Sequence, residues 1–143
     1  MEVVFKKNNS QTSADYFRSI LFATSYPGSI ETLNNTDPPS NMFSASCSII
    51  KTFCDSYSNI FLGGDVNNPE TIEWIKFNTG ANITDKKNAN FAIGFWKDLI
   101  PFEDFKIGDE QNPDQSCTII CQSQFKKPNA IITGPGIKSS KSI

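Results

Sequence analysis

Four cysteines, scattered serines, carboxylates and lysines are the side chains that could make or break bonds here, because the 143-residue sequence has no histidine. Without imidazole a Ser-His-Asp or Cys-His nucleophile cannot be assembled within the chain, and the usual proton shuttle near neutral pH is missing. Catalysis by a carboxylate, thiol, hydroxyl or lysine stays open. Cys47 and Cys54 lie seven apart, and Cys117 and Cys121 four apart. Neither spacing is the C-x-x-C of redox and zinc-ribbon sites, so the thiols read as free or buried and no metal site is expected. Ser10 and Ser13 could offer a hydroxyl that activates a thiol, but a polar loop and a helix cap are the plainer roles. Glu103, Asp104, Asp109 and Glu110 form an acidic group without EF-hand spacing, and read as a solvated loop. Lys138-Ser139-Ser140-Lys141-Ser142 reads as a solvated basic tail.

Composition narrows the partner class. Hydrophobic residues make up 38% of the chain, which is enough for a buried core. The net charge is −2 and the one arginine is Arg18, which argues against direct nucleic-acid binding. The first residues, Met1 to Lys7, lack the apolar run of a secretory signal. No stretch approaches the roughly 18 apolar residues of a membrane span. A cytoplasmic protein with no membrane contact is the expectation, and the sequons at Asn8, Asn34 and Asn82 then carry no weight.

The elements that must position these groups follow from periodicity. Glu2 to Lys6 reads as a strand, and Ser13 as the cap of a helix burying Phe17, Ile20, Leu21 and Thr24, stopped by Pro27-Gly28. Ser29 to Leu33 reads as a second strand. Ile49, Ile50, Phe53, Cys54 and Tyr57 keep helical spacing, with Ser46 as a cap. Gly63-Gly64 breaks the chain. Asn68-Pro69-Glu70 opens another helix, where Asn caps, Pro fits the first turn and Glu faces the positive end of the dipole. This helix carries Ile72, Trp74, Ile75 and Phe77 and ends near Gly80. A last helix is predicted from Asp85 to Ile100, with Ala92, Phe95, Trp96 and Leu99 on one face. Beyond Gly108, Thr118 to Cys121 and Ala130 to Ile132 are apolar runs that either pair as strands or form an ordered tail.

The order strand, helix, strand, helix is that of a thioredoxin-like half-domain. The segment Met42-Phe43-Ser44-Ala45-Ser46-Cys47-Ser48-Ile49-Ile50-Lys51-Thr52-Phe53 resembles the F-x-x-S-N-A-I-x-R-Y-I stretch of glutathione S-transferase-like proteins. Phe61-Leu62-Gly63 is similar to that family's L-Y-G, and Trp74-Ile75-Lys76-Phe77 to its W-L-x-F. The pattern looks closest to the degenerate domains fused to eukaryotic glutamyl- and methionyl-tRNA synthetases and to elongation factor 1 gamma. Two family features are missing: no strand follows Pro38-Pro39, and no L-T-x-A-D capping box occurs.

The resemblance implies an α/β protein: a thioredoxin-like part at 1–66, a short helical part at 67–107, and an irregular or weakly stranded tail at 108–143. It implies a non-catalytic interaction module in a synthetase or elongation-factor assembly, whose partner is another protein and possibly a second domain of the same kind. Trp74 and Trp96 are then the candidate interface residues. The alternative is a glutathione-binding transferase, with Ser46 holding the glutathione carboxylate at a helix start and Ser10 or Ser13 activating the thiol. A lineage-specific structural protein is the second alternative.

Overall fold

The computed structural model describes residues 9–34, 37–124 and 127–143. The expected strand from Glu2 to Lys6 lies outside them. The chain divides into two compact units, Asn35–Gln124 and a second made of Met1–Asn34 with Phe125–Ile143.

The larger unit is α/β and built on a four-stranded sheet. Its strands are β1 (Asn59–Leu62), β2 (Asn82–Ile83), β3 (Phe91–Phe95) and β4 (Thr118–Gln122), in the spatial order β2-β1-β3-β4. All neighbours are parallel, with Ile60 opposite both Ile83 and Phe91, and Ile93 opposite Ile120. Alternation along the strands divides the side chains between two faces. Ile60, Leu62, Ile93 and Ile120 point to one face, where helices α2 (Ser44–Phe53) and α3 (Pro69–Thr79) bring Cys47, Ile50, Cys54 and Ile75. Phe61, Ala92 and Ile119 point to the other, covered by Leu99 of the one-turn helix α4 (Trp96–Leu99) and by Phe102 and Phe105.

The local signals for α3 act as read. The Asn68 side chain accepts from the Thr71 N–H at 3.0 Å, Pro69 fills the first position, and Gly80 ends the helix at φ +73°. The helix expected from Asp85 to Ile100 does not form. Residues Phe91–Phe95 are instead the central strand β3, and only Trp96–Leu99 is helical. A parallel strand buried on both faces reads as a continuous apolar run, which periodicity alone cannot tell from a buried helix. Gly94 suits the strand, since a Cβ there would meet the Cα of Gly63 on β1's exit at 3.2 Å. Among the described residues the parallel sheet is therefore formed by residues 59–122.

The smaller unit holds helix α1 (Asn9–Ser25) and a hairpin of β5 (Ile131–Ile132) with β6 (Lys141–Ser142), paired antiparallel. Ser13 lies inside α1 and is exposed, so it does not cap that helix. The strand expected at Ser29 to Leu33 is absent: Ser29 N–H bonds back to Tyr26 O at 3.0 Å in a turn, and Ile30 is exposed. The Tyr16 hydroxyl donates to the Asn34 carbonyl within this unit.

Candidate functional site

In an open parallel sheet, ligands bind beyond the carboxyl ends of the strands, where neighbouring chains leave in opposite directions. Here that place is the junction of β1 and β3. From β1 the chain runs through α3 to β2, on one side. From β3 it runs through α4 to β4, on the other.

Three glycines let the two exits approach each other. Gly94 in β3 lies against Gly63, and Gly64 takes φ +55°, a conformation that side chains disfavour. Asp98, from α4, lies across this turn: a Cβ on Gly64 would come within 2.4 Å of its carboxylate. Among the described residues the half-buried Asp98 side chain has no hydrogen-bond or ion-pair partner.

The start of α2 covers the same edge of the sheet. Asn41 Nδ2 donates to the Asp65 carbonyl at 3.2 Å, just beyond β1. The Phe43 ring meets the Phe95 ring of β3 edge-on, with centroids 5.8 Å apart. Gln122, the last residue of β4, is buried; its Oε1 accepts from Phe43 N–H at 2.7 Å and its Nε2 donates to Asn41 O at 2.9 Å. One amide side chain thereby fixes the helix entry to the strand end.

Ser46 is the third residue of α2, so it does not cap the helix; Phe43 stands at that position and has no side-chain cap. Ser46 is only 5% exposed and its hydroxyl makes no hydrogen bond among the described residues, but the buried side-chain atom left without a partner among them is Ser29 Oγ, not Ser46 Oγ. Its neighbours differ. Ser48 Oγ donates to Ser44 O at 3.1 Å and Thr52 Oγ1 to Ser48 O at 2.7 Å. The N–H groups of Ala45 and Ser46, in the first turn, also lack partners among the described residues.

The other sequence-derived candidates do not gather here. Ser10 belongs to α1 and its side chain lies outside the described residues; Ser13 belongs to the same helix. Both sit in the other unit from Ser46. Trp74 packs against the core beneath α3, and its Nε1 donates to Asp37 O at 3.1 Å. Trp96, by contrast, is 63% exposed, held by an edge contact with Phe102 at 5.1 Å. Asp98 and Gln122 carry no signal in the sequence alone, because their places depend on strand ends whose residues have the pattern of a helix or a tail; the Gly63-Gly64 pair is the available clue.

The four cysteines are free thiols. Burial pushes Cys47 and Cys54 up to about 12; Lys51 partly opposes the rise at Cys47, and at Cys54 the Asp55 carboxylate adds to it. Burial likewise raises Cys117 to about 11, with Lys106 opposing. These three are poor nucleophiles at neutral pH, since the thiolate is the reactive form. Among the described residues no group of three or more cysteines and carboxylates could hold a metal ion. Nor is any helix among them long and apolar enough to cross a membrane.

Comparison with known proteins overturns the resemblance drawn from the sequence. A family model described as "Bacterial phosphonate metabolism protein (PhnH)" matches residues 5–143. The alpha-D-ribose 1-methylphosphonate 5-triphosphate synthase subunit PhnH of Rhizobium meliloti (strain 1021) is 31% identical over 128 residues, covering 86% of this chain. The chain spans 64% of that curated relative's length. The glutathione S-transferase-like assignment, the synthetase and elongation-factor assemblies and the glutathione site all rested on three short apolar segments. Two of them now have a plain account: the F-x-x-S-like segment is the core-facing α2, and the W-L-x-F-like segment is part of α3. A match along nearly the whole chain outweighs them, and the chain belongs to the PhnH family of bacterial phosphonate metabolism proteins.

Proposed function

We propose that this chain is a subunit of a cytoplasmic enzyme assembly in bacterial phosphonate metabolism, one that forms alpha-D-ribose 1-methylphosphonate 5-triphosphate. The match to the family over residues 5–143 carries this reading. A subunit role also suits the chemistry of the chain. Histidine is absent, three of the four thiols are held protonated, and Asp98 is a carboxylate with no partner among the described residues. Other protein subunits would then supply the rest of the reaction machinery. Trp96, large, aromatic and exposed beside Phe102, is our candidate to meet one of them.

The test is genetic complementation. A bacterium lacking its own PhnH subunit is given this chain and grown with methylphosphonate as the sole phosphorus source. Growth is the expected result. A chain that is expressed and folded yet restores no growth, and that captures none of the host's phosphonate enzymes on affinity purification, would sink the proposal.

A further inference from the structure

We infer that Trp96 and Phe102, with the carboxylates beside them, dock on a protein surface that offers an apolar socket rimmed by lysine or arginine. That the partner is another subunit of the same assembly rests on the function proposed above; the chemistry of the surface rests on this chain alone.

The apolar centre is small and held in place. Trp96 is 63% exposed, and Ile100, one turn further on, is 46% exposed. The indole meets the Phe102 ring edge-on, with centroids 5.1 Å apart. Leu99, in the same turn, is fully buried in the core. Lys86 Nζ donates to the carbonyls of Leu99 and Ile100 at 3.1 and 3.0 Å. The turn that carries the tryptophan is therefore fixed before a partner arrives, which keeps the ordering cost of docking low. Tryptophan is among the residue types that dominate binding interfaces.

Charge decides what covers this centre. Residues 96–116 hold six carboxylates and two lysines, a net charge of −4, whereas the whole chain carries −2. The fold does not neutralise the excess. Asp98, Glu103, Glu110 and Asp114 have no hydrogen-bond or ion-pair partner among the described residues, and Asp104 reaches Lys86 only at 3.9 Å. Asp98 shares the helical turn of Trp96, and Glu103 directly follows Phe102. A half-buried carboxylate such as Asp98 gains most from a partner's ammonium or guanidinium once docking excludes water around it. A second copy of this chain would instead set acid against acid, which is repulsive. The most exposed aromatics elsewhere in this unit, Tyr57 and Phe77, lack this signature: segments 51–57 and 69–79 carry net charges of 0 and −1.

The test is binding of the full chain to the remaining subunits of the Rhizobium meliloti synthase, co-expressed without their own PhnH and measured by biolayer interferometry. Raising the salt from about 50 to about 300 mM should weaken binding about tenfold, mainly in the association rate, because the charges lie at the rim. Trp96→Ala should weaken it about thirtyfold or more, the scale of a dominant interface residue. Asp98→Asn combined with Glu103→Gln should slow association and flatten the salt dependence, and Phe77→Ala should bind as the unaltered chain does. Binding by Trp96→Ala at unaltered strength, or binding that ignores salt, overturns this surface. So does sedimentation showing that the chain alone pairs through Trp96, which would make a second copy the occupant. Growth complementation decides the subunit reading separately. A chain that complements and binds, yet ignores both sets of changes, keeps its subunit role and loses this surface. No binding by the unaltered chain overturns the surface as well.

Discussion

The two faces of the parallel sheet are closed by different means. One carries two helices of ten and eleven residues, which set Ile50 and Ile75 against Ile60, Leu62, Ile93 and Ile120. The other has one α-helical turn, short 3-10 turns, two small alanines, and three phenylalanines at different depths, with Lys86 reaching over the rings. Burial of branched aliphatic side chains holds the first face. The second is held by aromatic edges and a polar strap. Stability should therefore concentrate on the helical face.

Matched truncations on neighbouring strands give the largest contrast. Ile60 is fully buried on the helical face, and Ile60→Ala should cost about 2–5 kcal/mol by lost transfer energy and a residual cavity. Ile119, half-buried on the other face, should cost less, about 1–2 kcal/mol, because the site is already open to water on one side. Urea unfolding of both variants measures the difference. Equal losses would mean that the two faces contribute alike.

Gln122→Ala comes next. It strands the Phe43 N–H and the Asn41 carbonyl at the start of α2, an expected loss of about 1–3 kcal/mol in urea unfolding. Hydrogen exchange should rise first at α2. A loss spread evenly over both faces would show that Gln122 does more than join β4 to that helix.

The thiols sharpen the same contrast through pH. Cys47 and Cys54 pack on the helical face and in the fold ionise only at about 12, against an ordinary value near 9.0. Between these values the unfolded chain has released the proton and the folded chain still holds it. The unfolded state then binds fewer protons, so stability falls as pH rises through this window and is present in full below it. Urea midpoints should drop between pH 8 and pH 10.5, and Cys47→Ala should flatten part of the drop. An unchanged slope in that variant would remove Cys47 from the account.

The helical face was also the legible one. Ile49, Ile50, Phe53 and Cys54 announced α2 by spacing, and Asn68, Pro69 and Gly80 marked both ends of α3 by local backbone chemistry. The strands were harder. Phe91 to Phe95 is apolar at every position because a central parallel strand is buried on both sides, and the Leu99 turn that follows extended the apparent helix. Ser46 has the residue type of a helix cap, but Phe43 stands at the cap position and Ser46 lies inside the first turn. Asp98 and Gln122 could not be found from spacing, because Gly64 and Phe43, which give them their places, are 34 and 79 residues away.

The smallest effect tests the polar strap. Lys86 Nζ donates to the carbonyls of Leu99 and Ile100 at 3.1 and 3.0 Å, and lies 5.6 and 5.2 Å from the ring centres of Phe61 and Phe105. Its ion pair with Asp104 is long, at 3.9 Å, and the acid is half exposed, so salt should screen it without much change in stability. Lys86→Met keeps an apolar stem over the rings and removes the ammonium, which isolates the carbonyl bonds and the cation–π term. The expected loss is about 1 kcal/mol, with Asp104→Asn near zero by comparison. If Asp104→Asn costs as much as Lys86→Met, the strap is an ion pair and the second face depends on charge after all. If Lys86→Met costs as much as Ile60→Ala, the lysine anchors that face as firmly as the aliphatic core holds the other, and the asymmetry between them disappears.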